Sequence, residues 1–160
     1  MGEKLNLSAA EALYLAVRME ARAVLLYERA RIVFGIIGLE SVLSELAREE
    51  RGHQADFLRL LNQEEPVAPE RAMLLDAHAG DMLFEEGLTG AVREGAFDSA
   101  ASLLRWAADE EERAMKRYSE FALLAKGEAR EAFLHIAGQE EVHFKRLHEQ
   151  LRLLCGGADD

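Results

Sequence analysis

The sequence predicts an all-α fold, a four-helix bundle built from an internal two-fold repeat. Three observations carry this. Only 2 of 160 residues are proline, while alanine, leucine and glutamate are abundant. Apolar residues recur at helical spacing along most of the chain. The second half also repeats the pattern of the first. Glu20 opens the string E-A-R-A-V-L-L-Y and Glu111 opens E-E-R-A-M-K-R-Y, each followed by Arg at +2, Ala at +3 and Tyr at +7. Further on, L-A-R-E-E-R-G-H-Q-A-D-F aligns with I-A-G-Q-E-E-V-H-F-K-R-L.

The elements follow in order. Ser8 and Glu11 have capping-box spacing, so the first helix starts at Ser8. It carries Leu13, Val17, Glu20, Val24 and Tyr27 on one face and ends near Gly35 and Gly38. The second helix runs from Glu40 to Asn62, with Leu43, Leu46, Glu50, His53, Phe57 and Leu61 on one face; Pro66 and Pro69 mark its exit. The third begins near Asp98 or Ser99 and carries Leu104, Ala107, Glu111, Ala114, Tyr118 and Phe121, with Gly127 closing it. The fourth runs from Glu128 to Leu154 through Phe133, Ile136, Glu140, His143, Leu147 and Leu151, ahead of a glycine-rich tail that should fray.

The repeat halves are thus 8–62 and 99–154, joined by a crossover over 63–98. A helix of about 22 residues is roughly 33 Å long, so the crossover can carry the chain back along the bundle. That would oppose the two halves about a two-fold axis. A further helix is expected within it, around Arg71 to Leu83. At 160 residues the whole chain fits one domain with a real core.

Charge and composition exclude several classes of partner. A net charge of −11 argues against nucleic acid and anionic membranes, and favours cations. No basic-then-apolar leader is visible at the N-terminus. The apolar stretch Ile32 to Leu39 is too short to span a bilayer. The single cysteine, Cys155, allows no internal disulfide and no Cys-x-x-Cys metal knuckle. These features predict a cytosolic protein.

The order Glu, then Glu-x-x-His, occurs once in each half: Glu20 with Glu50 and His53, Glu111 with Glu140 and His143. With this much glutamate and five histidines, one Glu-x-x-His is expected by chance. Two in register with a duplicated Glu-x-Arg-Ala-x-x-x-Tyr are not. Each glutamate interrupts an apolar stripe that should face the core. Burying one unpaired carboxylate costs several kcal/mol, so four require compensating cations. Arg22 and Arg113 sit two positions on, away from that face, and cannot supply them. Four carboxylates and two imidazoles are the donor set with which helix bundles hold a metal pair. Oxygen-rich donors with one imidazole per ion suit iron or manganese, and the lack of thiolate argues against structural zinc.

Tyr27 and Tyr118 lie two turns beyond Glu20 and Glu111, where their hydroxyls can bond ligand carboxylates. Other residues receive plainer assignments. Glu49, Glu110, Glu112 and Glu141 fall off the ligand face and should be solvated. His78, His135 and His148 lack a partner at matching register. Met19, Met73, Met82 and Met115 read as helix and core residues, and Trp106 as packing.

The motifs Ala16-x-x-x-Glu20-x-x-Ala23-x-x-x-Tyr27, Glu50-x-x-His53, Ala107-x-x-x-Glu111-x-x-Ala114-x-x-x-Tyr118 and Glu140-x-x-His143 resemble the ferritin-like di-iron superfamily, and within it the rubrerythrins. The resemblance covers the chain apart from the crossover and tail. It implies Glu20 and Glu111 as terminal ligands, Glu50 and Glu140 as bridges, and His53 and His143 as nitrogen ligands. It implies two iron ions, or manganese, per chain, and a reaction of ferrous iron with hydrogen peroxide or dioxygen. Two departures stand out. This chain has no cysteine-bound iron module of the rubredoxin kind, so the electron donor would be a separate protein. Ala114 stands where many rubrerythrins carry a further glutamate. The resulting symmetric six-ligand set is closer to that of bacterial haem-containing ferritins, although no haem is expected here. The leading expectation is a redox enzyme acting on peroxide or dioxygen. The alternatives are a ferroxidase or iron-handling protein, and a metal-stabilised interaction module without turnover. A homodimer or higher homo-oligomer is expected.

Overall fold

Ser8 starts the first helix as its spacing predicts. Its hydroxyl accepts from the Glu11 backbone N–H at 3.1 Å, and Glu11 Oε1 accepts from the Ser8 N–H at 3.0 Å. The computed structural model describes residues 6–35, 38–82 and 89–156, of which the side chains at 78–82 and 89–90 are not described. These described residues form six helices: α1 (Ala9–Phe34), α2 (Glu40–Leu61), α3 (Pro69–Met82), α4 (Thr89–Arg93), α5 (Ala100–Ala122) and α6 (Gly127–Leu154). No strand occurs among the described residues.

The boundaries mostly sit where local chemistry puts them. Ser99 caps α5 by accepting from Ser102 N–H at 3.0 Å. Gly38 takes φ +91° in the α1–α2 turn, a left-handed conformation that side chains resist. Two expectations need correction. Gly127 does not close the third long helix. That helix stops at Ala122 in a tight turn, in which Leu123 and Leu124 N–H bond Glu120 and Phe121 carbonyls. Gly127 instead opens α6 with φ +58°. Pro69 does more than mark the exit of α2. It is the first residue of α3, where its fixed φ and missing N–H cost nothing. The helix expected over Arg71 to Leu83 is α3; Leu83 and the tail 157–160 lie outside the described residues.

The four long helices pack as two antiparallel hairpins, α1 with α2 and α5 with α6. The hairpins meet through α1 on α5 and α2 on α6. Both cross-pairs run antiparallel. Tyr27 and Tyr118 bond Glu111 and Glu20 across the first, and His53 and His143 bond Gln139 and Glu49 across the second. Among described residues, α3 lies on the N-terminal half of α1. Tyr14 donates to Asp76 at 2.7 Å, Arg71 to Glu11 at 2.6 Å, and Leu75 is fully buried.

The core divides into two apolar clusters. One holds Leu13, Phe57, Tyr118, Phe121, Phe133 and Ile136, with aromatic centroids 5.1–6.3 Å apart. The other holds Leu26, Leu43, Leu46, Leu103, Leu104 and Leu147. Leu75 of the crossover joins the first cluster, and Ala91 and Ala96 join the second. The crossover therefore travels the length of the bundle, as its length predicts. Between the two clusters, at mid-length of all four long helices, sits a polar layer.

Candidate metal centre

The polar layer consists of the six residues that the duplicated motif singles out. Glu20, Glu50, His53, Glu111, Glu140 and His143 are each at most 5% exposed. They are the only fully buried charged or imidazole side chains among the described residues. Each interrupts an apolar stripe, so the burial that drives its helix into the core carries the polar group with it.

Geometry sorts them into two overlapping quartets. Glu20, Glu50, His53 and Glu140 offer donor atoms within 4.8 Å of one another, and so do Glu50, Glu111, Glu140 and His143. Glu50 and Glu140 belong to both. Each remaining glutamate groups with the histidine of its own half: Glu20 with His53, Glu111 with His143. Either quartet can hold a metal ion, and the shared carboxylates lie between the two positions.

Hydrogen bonding fixes which ring nitrogen faces inward. His53 Nε2 is 2.6 Å from Gln139 Oε1, and His143 Nε2 is 2.7 Å from Glu49 Oε1. Both partners are acceptors, so each Nε2 carries a proton and each Nδ1 is the nitrogen that a metal ion could use. The two Nδ1 atoms point into the quartets. His53 Nδ1 is 2.9 Å from Glu50 Oε1 and His143 Nδ1 is 3.1 Å from Glu140 Oε1. These contacts are close but lack hydrogen-bond alignment: both Nδ1 atoms, Glu20 Oε1, Glu140 Oε1 and both Glu50 oxygens are buried without a hydrogen-bond partner. Six orphaned donor atoms converging on one layer would be untenable in an apolar core. Metal ions could satisfy lone pairs of both oxygen and imidazole nitrogen here.

The outer oxygens are already engaged. Tyr27 donates to Glu111 Oε2 at 2.6 Å, and Tyr118 donates to Glu20 Oε2 at 2.5 Å. Both hydroxyls bond carboxylates of the polar layer, but across the hairpins: each tyrosine reaches the glutamate of the other half. Burial, together with the Glu111 and Glu50 charges at Tyr27 and the Glu20 and Glu140 charges at Tyr118, holds both phenols protonated far above their ordinary range.

Without cations the layer holds protons instead. Burial first, then the charges of Glu111 and Glu20, push Glu50 well above the usual carboxylate range; burial, Glu111 and Glu50 do the same to Glu140. Burial by itself would lower His143, but the close Glu111 carboxylate, with Glu50 and Glu49, outweighs it and holds the ring at about 9. His53 is raised against its burial by Glu20 and Gln139. A metal ion entering this layer would have to displace such protons.

Four residues play parts that the helical pattern did not assign. Glu49 is not simply solvated: it is half-buried, accepts from His143, and lies 3.6 Å from Arg146. Gln139 does the matching work at His53. Both stand directly before the glutamate of a Glu-x-x-His, and a polar residue at that same position in both motifs was the available signal. Glu110 also departs from expectation. Its side chain is 11% exposed, and burial, opposed by Arg113 and Arg22, raises its carboxyl to about 7. Arg22, turned away from Glu20 by helical geometry, still lines a small cavity that reaches Glu20, Glu50, Glu111 and Glu140. Trp106 lines it as well as packing on the second cluster.

The remaining assignments hold or are corrected simply. Glu141, His135 and His148 are exposed, as is Cys155, and Glu112 is partly so. Met19 is buried and Met115 partly buried, but Met73 is 74% exposed and belongs to no core. The side chains of His78 and Met82 lie outside the described residues. No helix among the described residues is long and apolar enough to cross a membrane. Comparison with known protein families, characterised proteins and solved structures finds no match to this chain.

Proposed function

We propose that this chain is a rubrerythrin-like member of the ferritin-like proteins that binds two iron ions and reduces hydrogen peroxide or dioxygen. The observation that carries the reading is the pair of buried quartets sharing Glu50 and Glu140. The two hairpins are read as a duplicated unit, each supplying one Glu and one Glu-x-x-His.

The donor chemistry supports two ions of the iron or manganese kind. Each quartet offers three carboxylates and one imidazole, with no sulfur. Two divalent ions would bring charge +4 to four carboxylates and make the layer near neutral. Bound iron would supply the electrons that a two-electron reduction of peroxide or dioxygen consumes. The chain's own residues do the rest. Tyr27 and Tyr118 hold Glu111 and Glu20 in place, Gln139 and Glu49 orient the imidazoles, and the apolar clusters keep water from both ends of the layer. Electrons to restore the reduced state would come from a separate donor protein. Exposed Cys155 takes no part.

Anaerobic iron loading followed by elemental analysis tests the reading, with about two ions per chain expected. Stopped-flow oxidation of the reduced, loaded protein by peroxide and by dioxygen then tests the reaction. Specific uptake with rapid oxidation by peroxide, unaffected by Cys155→Ser, supports it. No specific uptake overturns it. A faster reaction with dioxygen in a protein whose solution mass is that of a large shell replaces it with iron storage. Uptake without oxidation by either replaces it with a metal-stabilised interaction module.

A further inference from the structure

The metal-binding layer is sealed on one side and open on the other. On the α2–α6 side, Glu49 and Gln139 cover the imidazoles. On the α1–α5 side lies the cavity, of about 30 Å³, with Glu50 and Glu140 at its back. That volume admits one or two molecules the size of water.

Two of its lining residues are unsatisfied in complementary ways. Trp106 Nε1, a donor only, is buried without a hydrogen-bond partner, and so is Glu110 Oε2, an acceptor. They stand at i and i+4 on α5, hence on one face. The neighbouring polar groups are already engaged. The Tyr27 and Tyr118 hydroxyls serve Glu111 and Glu20, and Glu110 Oε1 accepts from Arg113 at 2.6 Å. Burying a lone donor and a lone acceptor beside one cavity is costly unless a guest meets both.

We propose that Trp106 and Glu110 form a docking subsite, in the α1–α5 seam, for a small hydroxylic molecule that accepts from Trp106 Nε1–H and donates to Glu110 Oε2. Among oxidants this selects hydrogen peroxide, which has O–H donors and oxygen acceptors in a two-oxygen frame. Dioxygen has no proton to give to Glu110. A ferrous ion gains nothing from an indole N–H, and the Arg22 guanidinium lines the same cavity. The inference rests on the proposed oxidant reaction for its purpose, but not for its geometry.

The chain has a single tryptophan, so its indole N–H gives one resonance in a ¹⁵N-labelled sample. The full metal-free chain is titrated with hydrogen peroxide, and catalase is added afterwards. A saturable shift of that resonance, reversed by catalase, is expected. Glu110→Leu should weaken the apparent affinity about tenfold, the loss of one or two hydrogen bonds, while Glu110→Gln, which keeps an acceptor oxygen, should stay near the parent. A shift that never saturates in the parent, that is equal in Glu110→Leu, or that survives catalase overturns the subsite. Metal content of the same samples is measured separately. A chain that takes up no metal yet shows the saturable shift loses the proposed function and keeps the subsite. A chain that binds two ions without the shift loses only the subsite.

Discussion

The Tyr27 hydroxyl of α1 donates to Glu111 Oε2 of α5 at 2.6 Å, fully buried. Tyr118 returns the same bond from α5 to Glu20 of α1. Each hairpin thereby holds a carboxylate belonging to the other, and the site cannot be assembled by one hairpin alone. Because the outer oxygen is tied, the inner oxygen is presented to the layer in a fixed direction.

Tyr27→Phe and Tyr118→Phe should therefore weaken metal binding while leaving the packing intact. The ring stays; the hydroxyl that orients a ligand carboxylate goes. Loss of such an orienting partner typically costs 10–100-fold in metal affinity. The double variant should lose more than either single one, since the two bonds serve different quartets. Competition with a chromogenic chelator measures the affinities, and unchanged values would show that the carboxylates are held by packing instead.

The quartets predict an asymmetry among alanine variants. Glu50 and Glu140 belong to both positions, Glu20 and Glu111 to one each. Glu50→Ala and Glu140→Ala should abolish specific binding at both positions. Glu20→Ala and Glu111→Ala should leave about one ion per chain, because each leaves the other quartet with all four of its donors. Elemental analysis after loading and desalting distinguishes the outcomes. Equal stoichiometry in all four variants would count against shared carboxylates.

The two positions should also differ in affinity. His143 Nε2–H donates to a carboxylate, Glu49, which lies 3.6 Å from Arg146; His53 Nε2–H donates to the amide oxygen of Gln139. A carboxylate partner makes the imidazole a stronger donor to metal than an amide does. The position built on Glu111 and His143 should fill first. Glu49→Gln makes the two partners alike and should merge the two binding steps. Calorimetric titration with a redox-silent divalent ion reads this directly, and two steps as well separated in Glu49→Gln as in the parent would exclude Glu49 as the cause.

Much of this was legible in the sequence because one rule governs it. Helical spacing put Glu20, Glu50, Glu111 and Glu140 on the same stripes as Leu13, Leu46, Ala107 and Ile136, so burial of the stripe implied burial of the acid. Ser8 and Ser99 announced their helices through capping chemistry. What the sequence withheld were relationships between helices. Spacing along α1 says that Tyr27 faces inward, but not that it meets Glu111 in place of Glu20. Glu49 and Gln139 fall off their own helix's core face and find their histidines on the opposite helix, so a single-helix reading assigns them to solvent. Glu110 went astray for the same reason: the cavity that it and Arg22 line exists only where α1 and α5 meet. Gly127 could as well end one helix as begin the next, and the tight turn after Ala122 settled which.

The last prediction concerns the pH dependence of stability, which metal should counteract. In the metal-free chain Glu50 and Glu140 are raised above the ordinary carboxylate value, and His143 is raised to about 9. A group whose pKa is higher folded than unfolded adds stability that is complete below its unfolded value. That stability fades as pH climbs through the folded value. For His143 the window runs from about 6.5, its unfolded value, to about 9. For the two glutamates it opens above about 4.5 and extends upward. Half-buried Glu49 is shifted the other way, so its contribution is complete above about 4.5 and does not change between about pH 6 and 9. The metal-free protein should therefore melt at progressively lower temperature as pH rises from about 6 to 9. Metal binding displaces the same protons, so its stabilisation grows over that range. Thermal melts with and without a divalent ion should diverge as pH increases, the gap being smallest near pH 6 and largest near pH 9. A gap that is constant with pH would mean that metal binds elsewhere, away from these protonated ligands.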